Sequence, residues 1–299
     1  MSRVGALERN LYVLKNYVFS RQKRPFLASY KLTYRCNLHC QQCPFYTIQE
    51  EDPSYDAVIE TLERLYERGN RAVIFEGGEP MLWLDGERTI HDVVAAAKRR
   101  FFVVGMTSNG TLPLDVPVDV QWVSLDGLEK THNELRGGGD CFAKIIENIE
   151  RSSHPSLFAH ITINRMNSPE IPELIHYLSG LVKGITIQLY YPYDKKYDLY
   201  LDNPQREAVL DEIIQLKRAG LPLLNSVSAL EALKINSWHC VDWLIDNANP
   251  DGSLSQGCYL KGRGLVECDK CGFSPHTEAS LAYQGDLRAI RAGLDIFFG

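Results

Sequence analysis

The sequence predicts an α/β fold built around a parallel β-sheet. Six short apolar segments alternate with segments whose apolar residues recur at helical spacing. Alternation of this kind is typical of parallel sheets with helical crossovers. The chain has no Gly-x-Gly-x-x-Gly dinucleotide motif. The predicted strands are residues 26–34, 72–76, 101–107, 119–125, 158–164 and 184–190.

Helices are predicted between these strands. The first is expected to end at Gly69, since glycine readily adopts the left-handed conformation that ends a helix. The last is expected to have Asn203 as its N-cap, Pro204 at its first helical position and Gly220 at its end. The predicted helices begin near residues 53, 91, 142, 168 and 203.

An additional helix is predicted at residues 6–19, before the first strand. Its apolar side chains share one face, and basic residues follow it. The favoured interpretation is a helix that covers the barrel, and the alternative is an amphipathic segment on a membrane surface. The residues concerned are Leu7, Leu11, Leu14 and Val18, followed by Arg21, Lys23 and Arg24.

Composition limits the possible classes of protein. The chain has 299 residues, of which 44% are hydrophobic and 23% charged, which is typical of globular domains. Its net charge of −6 argues against a broad basic surface for nucleic acid. No apolar run is long enough to span a bilayer, and no signal peptide is recognisable. Eight cysteines, grouped at metal-ligand spacings, favour a reducing cytoplasm.

Three closely spaced cysteines are the strongest functional signal. Cys36, Cys40 and Cys43 follow the first predicted strand with the spacing C-x3-C-x2-C. Three thiolates can bind three irons of a [4Fe–4S] cluster and leave the fourth iron open to a small molecule. Structural metal sites usually close the shell with a fourth protein ligand. A zinc loop and a chance grouping are the alternatives.

A second motif follows the predicted strand at 72–76. Gly77 and Gly78 allow the backbone to approach a ligand closely, and the carboxylate of Glu79 can accept a hydrogen bond from an ammonium group. Pro80 completes the motif. By itself such a segment is only a turn in most proteins.

Together these two motifs, about 35 residues apart, resemble those of the radical S-adenosylmethionine (radical SAM) superfamily. The resemblance implies a partial (β/α)6 barrel and a [4Fe–4S] cluster on Cys36, Cys40 and Cys43. SAM would bind the open iron through its amino and carboxylate groups, with Glu79 holding the amine.

The resemblance also implies a reaction. An electron from the cluster, supplied by a donor such as flavodoxin or ferredoxin, cleaves SAM to methionine and a 5′-deoxyadenosyl radical. That radical abstracts a hydrogen atom from the substrate. One position departs from the family pattern: Gln42 stands where many members have an aromatic residue beside adenine, and Phe45 and Tyr46 come just after.

Polar residues at the ends of later strands resemble further SAM contacts of the family. By that resemblance Ser108 or Ser124 would contact the ribose and Arg136 the carboxylate. Turn formation and a solvated loop charge are the alternatives. The full predicted SAM-binding set is Gly77, Gly78, Glu79, Pro80, Ser108, Asn109, Ser124, Asp126, Arg136, Asn164 and Gln188.

An aromatic run at residues 190–194 either forms a wall of the substrate pocket or is an ordinary loop. Tyrosine suits a pocket wall because it has an apolar body and a polar tip.

A second set of cysteines follows residue 225. Cys240, Cys258, Cys268 and Cys271 can ligate a second [4Fe–4S] cluster, while Cys141 is interpreted as a small apolar residue. The segment 247–257 is predicted to be loop and turn. The pattern resembles the SPASM or twitch extensions of radical SAM enzymes, and a zinc site is the alternative.

The segment that follows Cys268 also loosely resembles the ends of radical SAM enzymes of hopanoid and archaeal-lipid biosynthesis. The favoured interpretation of His276, in this segment, is a surface residue, and the alternative is a metal ligand.

These observations predict a helix at residues 1–25, a radical SAM partial barrel at 26–224 and a cysteine-rich auxiliary-cluster extension at 225–299. The predicted function is hydrogen abstraction from a peptide or protein side chain, with a lipid or isoprenoid as the next substrate class, then a nucleoside or sugar. The auxiliary cluster would transfer electrons. The competing hypothesis is a non-enzymatic iron–sulfur or zinc protein for electron transfer or assembly. Membrane association is not favoured, and no catalytic acid or base is assigned.

Overall fold

The computed structural model describes residues 6–20, 22–263 and 266–299. Its strands are β1 (Leu27–Thr33), β2 (Ala72–Gly77), β3 (Leu84–Asp85), β4 (Arg88–Thr89), β5 (Val103–Ser108), β6 (Val120–Ser124), β7 (Leu157–Ile163), β8 (Gly184–Leu189), β9 (Ile245–Ala248) and β10 (Leu254–Gln256). Its helices are α1 (Ala6–Val13), α2 (Tyr55–Arg68), α3 (Ile90–Ala97), α4 (Glu129–Arg136), α5 (Cys141–Arg151), α6 (Ile171–Leu178), α7 (Asn203–Arg218), α8 (Val227–Lys234), α9 (Ser274–Tyr283) and α10 (Leu287–Phe298).

Eight strands form the main sheet in the order β10-β9-β1-β2-β5-β6-β7-β8. Six neighbouring strands of this sheet are all parallel and coincide with the six predicted strands. They are β1, β2, β5, β6, β7 and β8. Because parallel strands end at the same edge, the loops that follow them lie together there. The predicted α/β fold, with six parallel strands alternating with helices, is confirmed.

Side chains of the strands alternate between the helices outside the sheet and the space that the sheet encloses. On β1, Tyr30 and Leu32 pack with Val58 and Leu62 of α2 in one fully buried core. Lys31, between them in sequence, therefore points to the enclosed side. This alternation gives the barrel an apolar outer layer and leaves room for polar groups inside.

Local signals define most helix ends as predicted. Gly69 ends α2 with a φ of +119°, and Cys141 is a buried residue at the start of α5. The prediction for α7 was wrong by one residue. Its N-cap is Asp202, whose carboxylate accepts from the Gln205 N–H while the Gln205 side chain accepts from the Asp202 N–H. This reciprocal pair of hydrogen bonds decides the helix start.

The predicted N-terminal helix is present as α1, followed by a turn of π-helix at Leu14–Val18. Tyr12 donates a hydrogen bond to the Gly69 carbonyl at 2.5 Å and packs edge-on against Phe102. These contacts place α1 over the amino-terminal ends of the strands. The side chains of Leu7 and Val18, and all of Arg21, lie outside the described residues.

The sheet continues beyond residue 225. β9 runs parallel to β1, with Leu27 opposite Ile245, and β10 pairs antiparallel with β9. The prediction that 247–257 is entirely loop was therefore wrong. These strands are only four and three residues long and contain several polar residues, so they lack the apolar pattern that predicts a strand. Within the described residues, no helix is long and apolar enough to cross a membrane.

Candidate active site

The first cysteine loop leaves the carboxyl end of β1, and each of its sulfurs accepts a hydrogen bond. Asn109 Nδ2 lies 3.8 Å from the Cys36 sulfur, and Arg136 Nη1 lies 3.9 Å from that of Cys40. The backbone N–H of Phe45 donates to the Cys43 sulfur at 3.4 Å. Hydrogen bonds to sulfur stabilise cysteine thiolates that ligate iron. The loop therefore fits a cluster-binding role.

Burial raises the pKa of the Cys36 thiol, and it raises the pKa of Cys40 to about 11 despite the nearby Arg136 guanidinium. A metal must displace these protons when it binds. Among the described residues, no three His, Cys, Asp or Glu side chains converge closely enough to hold a single metal ion. In a cluster, by contrast, each thiolate binds a different iron.

The Gly-Gly-Glu-Pro segment lies directly against the first cysteine loop. A Cβ on Gly78 would lie 2.1 Å from the Arg35 carbonyl oxygen, and one on Gly77 would lie 2.5 Å from that of Thr33. The Gly78 N–H donates to the Thr33 carbonyl and the Glu79 N–H donates to the Arg35 carbonyl. In this structure the glycines thus permit a close approach to the chain's own backbone, which fixes the two motifs together.

Glu79 is fully buried at the end of β2. One carboxylate oxygen accepts from the Met81 N–H, and the other accepts from the Asn109 N–H at 2.7 Å and the Ser108 hydroxyl at 3.1 Å. Burial outweighs these hydrogen bonds and raises the pKa of Glu79 to about 7. A bound cation such as an ammonium group would favour the ionised form.

Asn109 connects the two motifs. Its backbone holds Glu79, and its side-chain amide donates to both the Cys36 sulfur and the Asn37 side-chain oxygen. Its own side-chain oxygen accepts from Thr111. The structure thus brings Ser108 and Asn109 of the predicted set into one network with Glu79 and the cysteine loop.

A second network surrounds Asp126. Its carboxylate pairs with Arg136 at 2.6 Å and accepts from Gln42 Nε2 at 2.6 Å and from the Thr162 N–H at 2.7 Å. Gln42 therefore has a defined role in the position where many family members have an aromatic residue. Arg136 ends helix α4 with a largely buried side chain, so the interpretation as a solvated loop charge was wrong.

The remaining predicted residues lie at neighbouring strand ends. Ser124 is buried at the end of β6, and Gln188 on β8 donates to Thr162 on β7. Asn164 follows β7 and accepts backbone hydrogen bonds through its oxygen, while its Nδ2 is buried with no partner among the described residues. All of them belong to the same edge of the sheet.

Three of the eleven buried polar side-chain atoms that have no hydrogen-bond partner among the described residues lie at this edge. Arg136 Nε, Gln42 Oε1 and Asn164 Nδ2 are buried and have no hydrogen-bond partner among the described residues. Buried polar groups are normally paired, so such groups point to a missing ligand. Donors and an acceptor of this kind fit a molecule that carries a carboxylate and a nucleoside, as SAM does.

Two buried polar residues inside the barrel were not predicted from the sequence, and His276 of α9 was predicted wrongly. Lys31 is almost completely buried, and its ammonium contacts Asn247 at 2.9 Å and Glu76 at 3.2 Å. His160 on β7 contacts Thr186 at 2.9 Å. His276 is buried, so the expectation of a surface histidine was wrong, and burial lowers its pKa to about 4. For Lys31 and His160, the only sequence signal of a position inside the barrel was the alternation of side chains along β1 and β7.

An aromatic cluster joins the first cysteine loop to the second cysteine set. Phe45 stacks on Tyr34 and lies 6.3 Å, centroid to centroid, from the ring of Tyr259, which follows Cys258. The hydroxyl of Tyr259 contacts that of Tyr193, from the predicted aromatic wall. Tyr191, in the same run, is buried and stacks on Phe273.

The four cysteines of the second set are neighbours. Burial, Asp242 and the charges of the other three thiolates together raise the pKa of Cys240 to about 12. Burial, with added repulsion from Cys258 and Cys268, raises the pKa of Cys271 to about 11. The four thiols are therefore near enough to affect one another's ionisation. This repulsion favours a site that binds cations.

A buried arginine supports this region. Arg206, on α7, donates to the Cys271 carbonyl at 2.6 Å and to the Asn236 side chain at 3.2 Å. Its Nε and Nη1 have no hydrogen-bond acceptor among the described residues. A buried guanidinium next to Cys271 fits a negatively charged group there.

Comparison with known proteins agrees with the resemblance of the two motifs to the radical SAM superfamily. The Radical SAM superfamily model matches residues 30–178. A cofactor-modifying protein for the tungsten-containing aldehyde ferredoxin oxidoreductase of Pyrococcus furiosus is 28% identical over 174 residues, 50% of this chain and 47% of that protein. The sporulation killing factor maturation protein SkfB of Bacillus subtilis is 26% identical over 190 residues, 57% of this chain and 43% of that protein. The chain thus spans less than half the length of these relatives.

Solved structures share the fold. SuiB of Streptococcus suis bound to SAM superimposes with a TM-score of 0.67 at 13% identity, over 95% of this chain and 69% of that one. The protein anSMEcpe with bound SAM gives a TM-score of 0.61 at 16% identity, over 92% of this chain and 81% of that one. The chain belongs to the radical SAM superfamily, whose members are enzymes that use a [4Fe–4S] cluster and SAM.

Proposed function

We propose that this chain cleaves SAM reductively and abstracts a hydrogen atom from a peptide or protein side chain. When bound, the cluster and SAM supply a 5′-deoxyadenosyl radical as the hydrogen-abstracting species. The observation that carries the proposal is the connection of Cys36 to Glu79 through Asn109, because it unites the cluster loop with the predicted amine-binding carboxylate.

The chain would bind SAM through two hydrogen-bonded networks, one around Glu79 and one around Asp126. Glu79 offers a carboxylate, held in place by Ser108 and Asn109, to the amino group. Arg136 is positioned by Asp126, and its unpaired Nε is available to the carboxylate of SAM. Ser124, Asn164 and Gln188, at the ends of adjacent strands, are proposed to contact the nucleoside or the substrate.

A second [4Fe–4S] cluster on Cys240, Cys258, Cys268 and Cys271 is part of the proposal. The proximity of the four thiols and the unsatisfied donors of Arg206 support it. The cluster would exchange an electron with the substrate radical. The aromatic cluster around Tyr259 lies between the two cysteine sets and would form the adjoining wall of the substrate pocket.

The substrate class rests on relatives of stated function. SkfB is named as a maturation protein of the sporulation killing factor, and SuiB has been solved bound to the precursor peptide SuiA. A peptide or protein side chain is therefore the favoured substrate, with flavodoxin or ferredoxin as the electron donor. The grouped thiols favour reaction in the reducing cytoplasm.

Iron content and SAM cleavage test the proposal. The chain reconstituted anaerobically should hold about eight irons, and the triple change of Cys36, Cys40 and Cys43 to Ala should hold about four. Only the wild type should form 5′-deoxyadenosine from SAM under reducing conditions. About four irons in the wild type and none in the triple variant would remove the auxiliary cluster from the proposal. Iron-free protein in both would overturn it.

Glu79→Gln tests the SAM site itself. The amide keeps the shape of the side chain but loses the negative charge, so SAM binding and 5′-deoxyadenosine formation should fall while iron content is kept. Glu60→Gln, an exposed change on α2, is the matched control and should alter neither. Equal SAM binding in the two variants would exclude Glu79 as the amine ligand.

A further inference from the structure

Exposed apolar side chains are concentrated at one end of the barrel. Among the described residues, ten Leu, Ile, Val and Phe side chains are exposed, and eight of them lie within 11–19 and 287–298. The two outside these segments are Leu84 and Ile235. Scattered exposed apolar residues are ordinary, but a contiguous group marks an interaction surface.

In α10 the exposed apolar residues form a single stripe. Leu287, Ile290, Leu294 and Phe298 recur at intervals of three and four residues, which places them on one face of the helix. Leu287 is 79% exposed and Leu294 is 50% exposed. The opposite face, with Ala289 and Ala292, is buried, and Phe297 at the flank of the stripe contacts Trp122 of the barrel. The helix is thus apolar on both faces.

The N-terminal segment supplies the rest of this surface. Leu11, Leu14 and Phe19 are exposed, with Phe19 at 78%. The guanidinium of Arg9 lies 4.1 Å from the ring centre of Phe298, which joins this segment to α10. We call the exposed residues of the two segments the terminal face: Leu11, Val13, Leu14, Phe19, Leu287, Ile290, Leu294 and Phe298.

Basic residues accompany the terminal face. Residues 1–25 contain six Lys or Arg and one Glu, a formal charge of +5, within a chain of net charge −6, so the remainder carries −11. Lys15, Lys23 and Arg24 are exposed in the N-terminal segment, and on α10 the exposed Arg291 pairs with Asp295. A surface that combines apolar and basic side chains complements anionic lipid, whereas the acidic remainder of the chain would be repelled by it.

We propose that the terminal face binds the surface of an anionic membrane. The apolar stripes would enter the boundary between headgroups and acyl chains, and the basic side chains would contact lipid phosphates. The face lies at the amino-terminal end of the strands, opposite the candidate active site, so membrane contact leaves the SAM site open. The proposal goes beyond the proposed function and requires neither cluster nor SAM.

Vesicle sedimentation tests the proposal with the reconstituted chain. Wild type should pellet with vesicles of equal phosphatidylcholine and phosphatidylglycerol, should pellet far less with phosphatidylcholine alone, and should be released by high salt. Leu287→Ser with Leu294→Ser should weaken binding roughly tenfold or more. Leu11→Ser with Leu14→Ser should act in the same direction.

Matched controls keep the test decisive. Leu84→Ser with Ile235→Ser changes two equally exposed apolar residues elsewhere and should leave vesicle binding unchanged. Lys23→Gln with Arg24→Gln leaves the apolar face intact and should reduce binding to the anionic vesicles. Equal binding by all variants would overturn the proposal. If the wild type forms a dimer that the α10 changes dissociate, and does not bind vesicles, the terminal face binds a second copy of the chain instead. That result would also overturn the proposal.

Discussion

Arg136 and Asp126 form an ion pair, 2.6 Å from Nη2 to Oδ2, beside the first cysteine loop. The other terminal nitrogen of Arg136 lies 3.9 Å from the Cys40 sulfur. Gln42, within the same loop, donates to the same oxygen of Asp126. The fully buried carboxylate of Asp126 therefore positions both the first cysteine loop, through Gln42, and the guanidinium of Arg136 beside Cys40.

Asp126→Asn should reduce the free energy of unfolding by about 3–5 kcal/mol, because it leaves Arg136 buried without a counter-charge. Urea denaturation measures the change. Asp211→Asn removes a carboxylate from an exposed ion pair with Lys234 and should have a much smaller effect. If the two variants lose the same stability, the burial of the Asp126 pair has no energetic importance.

Gly78→Ala should destabilise the chain and reduce iron binding by the first cysteine set. The added methyl group would lie 2.1 Å from the Arg35 carbonyl oxygen, so the backbone that leads into Cys36 must move. Gly293→Ala, in α10, meets no atom within 4 Å and should instead stabilise the helix by about 0.5–1 kcal/mol.

Thermal unfolding and iron analysis of the two glycine variants provide the measurement. Unchanged stability and iron content in Gly78→Ala would show that the close approach between the two motifs is not required.

The sequence predicted the barrel because buried parallel strands are continuous apolar runs, and it predicted the cysteine loop because metal ligands are close in sequence. It could not place α4, whose residues are mostly polar, and so it left Arg136 open between a SAM contact and a solvated loop charge. The partners of Gln42 are distant in sequence, and only the fold brings Asp126 to it. Long-range pairing of polar groups leaves no periodic signal.

Arg206→Met should weaken iron binding by the second cysteine set. It removes the hydrogen bond to the Cys271 carbonyl and the unpaired donors beside the thiols, while keeping an apolar side chain of similar length. In the background with Cys36, Cys40 and Cys43 changed to Ala, iron should fall from about four per chain toward zero.

Arg218→Met changes an exposed arginine on the same helix and is the matched control. The iron content of both variants should be compared with that of the triple-alanine parent. Full retention of iron by Arg206→Met would exclude a supporting role for the buried guanidinium.

Glu278 should make the chain less stable as the pH rises. It accepts from the Ser226 N–H at 2.6 Å, its Oε2 is buried with no partner among the described residues, and burial raises its pKa from 4.5 to about 7. The folded state therefore binds this proton more tightly than the unfolded state. The resulting stabilisation is complete below pH 4.5 and is lost as the pH rises through about 7.

Glu278→Gln removes this titration. The unfolding free energy of the variant, relative to that of the wild type, should therefore increase from pH 4.5 to pH 8, as measured by urea denaturation at each pH. A constant difference between the two proteins across this range would show that Glu278 does not titrate there.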